Sequence, residues 1–227
     1  MHLHLVSLFP EIFTSFFETS LLQKAQEKGI LHIHYINPRT FCTDKHQQID
    51  DQVYGGGAGM LIKAQPIIDA VEKIITTPQL KNSDFKILFP TPTEEEFTQK
   101  QAYNLSKQEH LIFVCGRYEG IDHRFEEYMH DHYPQHFQKI SLGKFILLGG
   151  EIASMTMIEA ITRLIPGVIK ESESWINESY SLKNWLKNLE PPQYTRPEEV
   201  YGYKVPPVLL TGNKKEIQQR QHQNTTS

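Results

Sequence analysis

Arg117, Tyr118 and Glu119 stand between Gly116 and Gly120, directly after the apolar run LIFV at 111–114 and Cys115. A guanidinium, a phenol and a carboxylate in three consecutive positions can grip a polar ligand, hold charge or move a proton. Their place matters as much as their type, because open α/β sheets bind ligands beyond the carboxyl ends of their strands. Two other loops share this character. KILF at 86–89 runs into Pro90-Thr91-Pro92, and ISLGKFILLGGE at 140–151 carries Gly143 and the pair Gly149-Gly150. Such loops offer backbone N–H and C=O groups to a flat polar ligand such as adenine, and a glycine pair before a helix suits phosphate. Tight turns at strand ends are the ordinary account of the same residues. The chain holds neither GxxxxGK[ST] nor GxGxxG, which disfavours a nucleoside triphosphate or a nicotinamide dinucleotide.

The run IDDQVYGGGAGM at 49–60 is more specific. Two aspartates precede a tyrosine and a cluster of glycines that is costly to order. Either this is a flexible surface loop, or it lets a base or ribose approach the main chain closely.

The elements that would carry these loops follow from hydrophobic periodicity. Strands are expected at 3–9, 30–37, 86–89, 111–115 and 144–148. Helices are expected from Glu11 to Gly29, over 67–75, over 94–105, from Asp122, and from Glu151 to Ile165. The first helix would turn Ile12, Phe13, Phe16, Phe17 and Leu21 inward, and the last would bury Ile158, Ile161, Leu164 and Ile165. Residues 38–60 read as a loop. Strand–helix alternation of this kind predicts an α/β fold with a largely parallel sheet covered by helices on both faces. Residues 170–197 hold no sustained period and read as an interdomain segment. The end of the chain reads as a small appendage with one helix from about Lys214.

The 227 residues suffice for one full domain and a smaller one. A net charge of −4 announces no general affinity for nucleic acid, though a local basic surface is compatible with it. Two distant cysteines, Cys42 and Cys115, are no disulfide scaffold, and a reducing, cytoplasmic compartment fits. No signal peptide and no membrane-spanning run is expected. His2, His4, His32 and His34 read as outward neighbours of inward Leu3, Leu5, Ile33 and Tyr35. Together with His130, His132 and His136 they read as surface histidines, not a metal site.

The stretches SLFPEIF, PRTF, IDDQVYGGGAGM, CGRYEGID, SLGKFILLGGE, RLIPGV, YTRPEE and VPPVLLTGN, in this order, resemble the bacterial tRNA (guanine-N1)-methyltransferase family of the knotted SPOUT class. The resemblance runs from the N-terminus to about residue 216. It implies a deep C-terminal trefoil knot in the α/β sheet and a small helical C-terminal appendage. The implied domains are 1–165 with the cofactor-binding knot, a flexible 166–190, and a shortened tRNA-binding 191–227. It further implies a homodimer with its site at the interface. The implied activity is S-adenosylmethionine-dependent methylation of N1 of guanosine 37, just 3′ of the tRNA anticodon, which maintains the reading frame. The competing reading is a divergent relative that holds cofactor or tRNA with weak or no catalysis.

By the same resemblance, Pro92, Gly116, Tyr118, Leu142, Gly143, Lys144, Phe145, Ile146, Leu147, Gly149 and Gly150 hold the cofactor. Arg163 is the catalytic arginine, and Glu178 takes the place of the family's catalytic aspartate. Glu119 is a second candidate carboxylate for the guanine edge or the cofactor amine, unless Arg117 or Arg124 claims it in a salt bridge. Asp50, Tyr54, Gly55 and Gly59 are candidate substrate contacts. The family uses magnesium in catalysis, but no protein metal cage is visible. Three departures stand out: Glu94 for a common glycine, Lys144 for an aspartate and Leu148 for a serine. The less basic C-terminal end is a fourth, and it would weaken phosphate contacts.

Overall fold

The computed structural model describes residues 1–80, 83–170, 178–180, 191–213 and 215–217. The chain divides into two compact units, Met1–Lys170 and Glu171–Ser227.

The first unit is built on five parallel strands: β1 (His2–Val6), β2 (His32–Ile36), β5 (Phe85–Pro90), β6 (His110–Val114) and β7 (Phe137–Ile140), in the order β2-β1-β6-β5-β7. β6 is buried along its whole length, as a central strand covered on both faces must be. Val6, Ile87, Phe89, Ile112 and Val114 pack on one face against α3 (Ala64–Ile75) and α5 (Arg124–His132). α4 (Gln99–Leu105) and α6 (Gly150–Thr162) pack together, and α6 also lies on β5. The expected α/β fold with a parallel sheet is therefore the observed one.

Several expected elements are corrected. The helix from Glu11 is three pieces: a 3-10 turn at Pro10–Phe13, α1 (Thr14–Phe17) and α2 (Ser20–Glu27). Ser20 takes a positive φ of 47° at the break, which turns the face and leaves Leu21 exposed. The loop at 38–60 contains a 3-10 turn (Pro38–Phe41) and a strand β3 (Asp50–Gln52), which pairs antiparallel with β4 (Met60–Ile62). The helix expected from residue 94 starts at Gln99. Residues 95–97 instead run beside Ser141, whose amide donates to Glu95 O and whose carbonyl accepts from Phe97 N. Thr98 and Gln101 then close a reciprocal cap. KFILL at 144–148 is not a strand: FQKI forms β7, and Ile146 and Leu148 lie 81 % and 92 % exposed. A short apolar run alone does not distinguish a strand from an exposed apolar loop.

One of the expected surface histidines is corrected: His4 is buried, whereas His32, His34, His130 and His132 are exposed as expected. His110 is buried too, and Tyr35 is half-exposed. β1 lies between β2 and β6 in register, so His2 faces both His32 and His110, and His4 faces His34. The five rings stack, with His2 on His32 at 4.5 Å and His4 on His34 at 4.6 Å. Two pairs are joined edge to edge: His2 Nδ1 to His34 Nε2 at 3.0 Å and His4 Nε2 to His110 Nδ1 at 3.1 Å. In each pair one nitrogen supplies the proton and the other the lone pair, so the facing nitrogens are already engaged with each other. Burial, then the neighbouring imidazoles, lower His2 to about 4 and His4 to about 3.

A histidine with a lowered folded pKa binds fewer protons folded than unfolded between those values. The stability it contributes is full above about pH 6.5 and is lost as pH falls towards the folded values. The urea unfolding midpoint is expected to drop as pH falls from 7 to 4. His4→Phe is expected to flatten that slope, and an equal slope in the variant would refute this origin.

The second unit shows a hairpin, β8 (Glu199–Val200) and β9 (Tyr203–Lys204), followed by α7 (Pro207–Leu210). The helix expected from about Lys214 and the segment at 170–197 lie largely outside the described residues.

Candidate active site

Three of the loops marked by the sequence leave the carboxyl ends of parallel strands: 91–97 follows β5, 115–123 follows β6, and 141–149 follows β7, whereas the glycine run joins the antiparallel β3 and β4. The three enclose a cleft of about 280 Å³. Pro92, Gly116, Tyr118, Glu119, Leu142, Gly143, Phe145, Ile146, Leu147, Gly149 and Gly150 all line it. Lys144 is exposed and is not among the lining residues. The lining combines apolar side chains with backbone edges, the make-up of a small-molecule site.

Close backbone approach explains the glycine pair. The Gly150 amide donates to the Gly116 carbonyl at 2.9 Å, and a Cβ on Gly150 would sit 2.9 Å from the Cys115 Cα. Only a residue without a side chain lets α6 begin there. Tyr118 takes a φ of 57°, a region sparsely used by side-chain-bearing residues, inside this same loop.

A buried ion pair anchors the loop from behind. Glu151, on the first turn of α6, is fully buried. Its Oε1 accepts from Ser7 Oγ at 2.7 Å, and its Oε2 lies 2.8 Å from Arg117 Nε. The Arg117 contact has the distance of a charged pair but not the alignment of a hydrogen bond, so charge holds it more than direction. The guanidinium also stacks over the Phe9 ring at 4.9 Å. Burial, with Glu151 adding, raises the Cys115 thiol far above its ordinary range, so it stays protonated. This network was missed by sequence reasoning. The spacing of Ser7, Arg117 and Glu151 along the chain gives no signal, although a carboxylate directly after Gly149-Gly150 is a visible oddity.

The arginines considered for Glu119 are engaged elsewhere, Arg117 with Glu151 and Arg124 with Asp122. Glu119 instead reaches the glycine loop. Its Cγ and Oε1 fill the space of a Cβ on Gly59, whose φ is 95°. Beside it, Glu119 N donates to Met60 O and Ile62 N donates to Gly120 O. The hairpin β3–β4 is thus stitched to the 115–123 loop, and Gly59, at the end of the glycine run, sits against Glu119, which lines the cleft. Asp50 begins β3 opposite Ile62, Gly55 takes a φ of 87°, and Tyr54 stands 94 % exposed in the loop. Arg163 caps the C-terminus of α6 in the first unit. Glu178 belongs to the second unit and is partly buried. Among the described residues, no group of His, Cys, Asp and Glu is arranged to hold a metal, and no helix is long and apolar enough to cross a membrane.

The chain is 48 % identical over 217 residues to a tRNA (guanine-N(1)-)-methyltransferase of Carboxydothermus hydrogenoformans, covering 96 % of this chain and 79 % of the relative. It is 42 % identical over 225 residues to proteins of the same name from Bacillus cereus and Bacillus anthracis, covering 99 % of this chain and 87 % of each relative. The family described as tRNA (Guanine-1)-methyltransferase TrmD matches residues 1–227, and the chain belongs to that family.

Proposed function

We propose that the protein transfers a methyl group from S-adenosylmethionine to N1 of guanosine 37 in tRNA. The observation that carries this reading is the seating of Glu119 on Gly59, which joins the glycine loop to the cleft in a chain whose residues 1–227 match the family. The cleft residues fit the cofactor: Leu142, Phe145, Ile146 and Leu147 offer apolar cover, and the loops at Gly116 and Gly143 offer backbone edges for a polar ring. When bound, the cofactor supplies an electrophilic methyl on sulfonium sulfur.

The chain's own residues do the rest. Guanine N1 carries a proton and is a poor nucleophile until that proton leaves. Glu178 takes it as general base. Negative charge then moves towards O6, where the Arg163 guanidinium stabilises it. Glu119 holds the guanine edge, and the loop carrying Asp50, Tyr54, Gly55 and Gly59 gives the base and ribose close passage, so that N1 is held in line with the methyl group. No step is assigned to magnesium. The trefoil knot of the SPOUT class is part of this reading, supported by the meeting of Gly150 with the Cys115–Gly116 backbone.

Self-association belongs to the same proposal. Phe145, Ile146 and Leu148 in the cleft loop and Ile152 on α6 are exposed, and a second copy would cover them. A cytoplasmic location follows from the substrate.

The test is methyl transfer from labelled cofactor to a tRNA transcript with guanosines at positions 36 and 37, against a control lacking only the guanosine at 37. Turnover on the first alone is the expected result. Methylation mapped to another nucleotide would refute the assigned position. Tight tRNA or cofactor binding without turnover would move the protein to a binding relative, the reading that the replacement of aspartate by Glu178 favours.

A further inference from the structure

The hairpin of the second unit ends in an unusual way. Its two tip residues, Tyr201 and Gly202, both lie in the left-handed region, with φ of 50° and 85°. Two-residue hairpin turns of this kind favour asparagine, aspartate or glycine at the first position, where a larger side chain is strained. A tyrosine stands there instead, 98 % exposed, so packing within the chain does not explain it. Tyr203, the next residue but one, is 84 % exposed. The stalk beneath them is well defined: Val200 pairs with Tyr203, Glu199 with Lys204, the last two in an ion pair at 3.4 Å, and Val205 N donates to Glu198 O at 2.8 Å.

We infer that Tyr201 and Tyr203 form a stacking platform for unpaired bases of the tRNA substrate. This rests on the tRNA reading above and deepens it by naming a contact outside the cleft. Strain at an exposed tip points to function rather than folding. Tyr201 stands on the turn and Tyr203 at the first position of β9, so the two rings project from a narrow tip rather than from the broad apolar patch of a protein interface. Projecting aromatic faces suit unstacked bases in RNA loops. Glu198 and Glu199 sit on the same hairpin, so attraction comes from the ring faces and not from phosphate charge.

The discriminating variant is Tyr201→Asn. Asparagine suits the left-handed turn better than tyrosine, so the unfolding midpoint is expected to stay level or rise. Binding to the transcript is expected to weaken about tenfold, with a similar loss for Tyr203→Ala. The loss falls on KM for tRNA and not on kcat, and the slope of log Kd against log salt stays unchanged, because no phosphate contact is removed. Tyr201→Trp retains affinity. Unaltered Kd and KM in both Tyr201→Asn and Tyr203→Ala, while the wild type methylates tRNA, would overturn the platform alone. Unaltered RNA binding with a changed oligomeric mass would assign the hairpin to a protein contact and also overturn it. A wild-type chain that neither binds nor methylates tRNA would overturn the platform together with the functional reading.

Discussion

Glu178→Gln is expected to lower kcat by about 100-fold or more, with KM for tRNA and for the cofactor little changed. Loss of a positioned general base costs roughly 10²–10⁴ in rate, and glutamine keeps the size and polarity of glutamate while removing its ability to accept the N1 proton. Glu178→Asp restores the side chain that the family's pattern has at this position. It shortens the reach by one methylene, a displacement of about 1 Å that is worth up to roughly 100-fold when a reacting group is misplaced. A gain in the aspartate variant means that glutamate sits too close, and a loss means that the surrounding chain has adjusted to the longer side chain. Single-turnover methyl transfer at saturating tRNA measures both. Turnover of Glu178→Gln within threefold of wild type would sink the base assignment.

Glu151→Ala is the substitution expected to cost most in stability, about 3 kcal/mol and towards the lower end of the range for a broken buried pair. It removes a fully buried carboxylate and leaves the Arg117 guanidinium and the Ser7 hydroxyl without their shared partner. The Arg117 side chain is 20 % exposed, so water relieves part of the penalty. The damage is not confined to stability. Arg117 belongs to the loop that lines the cleft, and Gly149 leaves room for its Cδ and Nε where a Cβ would come within 2.5 Å. The KM for the cofactor is expected to rise along with the fall in the urea midpoint. Glu151→Gln keeps an acceptor for Ser7 and is expected to fall between wild type and alanine. A midpoint of Glu151→Ala within experimental scatter of wild type would show that the pair contributes nothing.

Periodicity and glycine punctuation located the strands β1, β2, β5 and β6, and with them the loops that carry the site. Those features are local: a strand covered on both faces reads as a short apolar run, and a ligand loop reads as glycine and charge directly after it. What failed was decided by tertiary pairing. KFILL is as apolar as a strand, yet β5 had taken FQKI as its neighbour, and the exposed run serves the cleft instead. Residues 94–98 have helical composition but are drawn out beside Ser141. His4 alternates with apolar residues as a surface position does, but β1 is flanked by strands that also carry histidine in register, and its ring is buried among theirs while His32 and His34 stay exposed. Within the site, the cleft lining was legible through resemblance to the family. The seating of Glu119 on Gly59 and the Ser7–Glu151–Arg117 network depend on distances that no spacing along the chain encodes.

The strand order carries a consequence for how the chain reaches this state. β1 is made first, and it gains one neighbour early, β2, but its other neighbour is β6, with His2 opposite His110. Parallel pairing over so long a separation must close a large loop before any contact rewards it, which makes folding slow. During synthesis, the emerging N-terminal strand presents one unpaired apolar edge until most of the first unit has left the ribosome, and such an edge is where nascent chains join one another. The chain's vulnerability in the cell therefore lies in the interval between the birth of β1 and that of β6, when chaperone cover matters most.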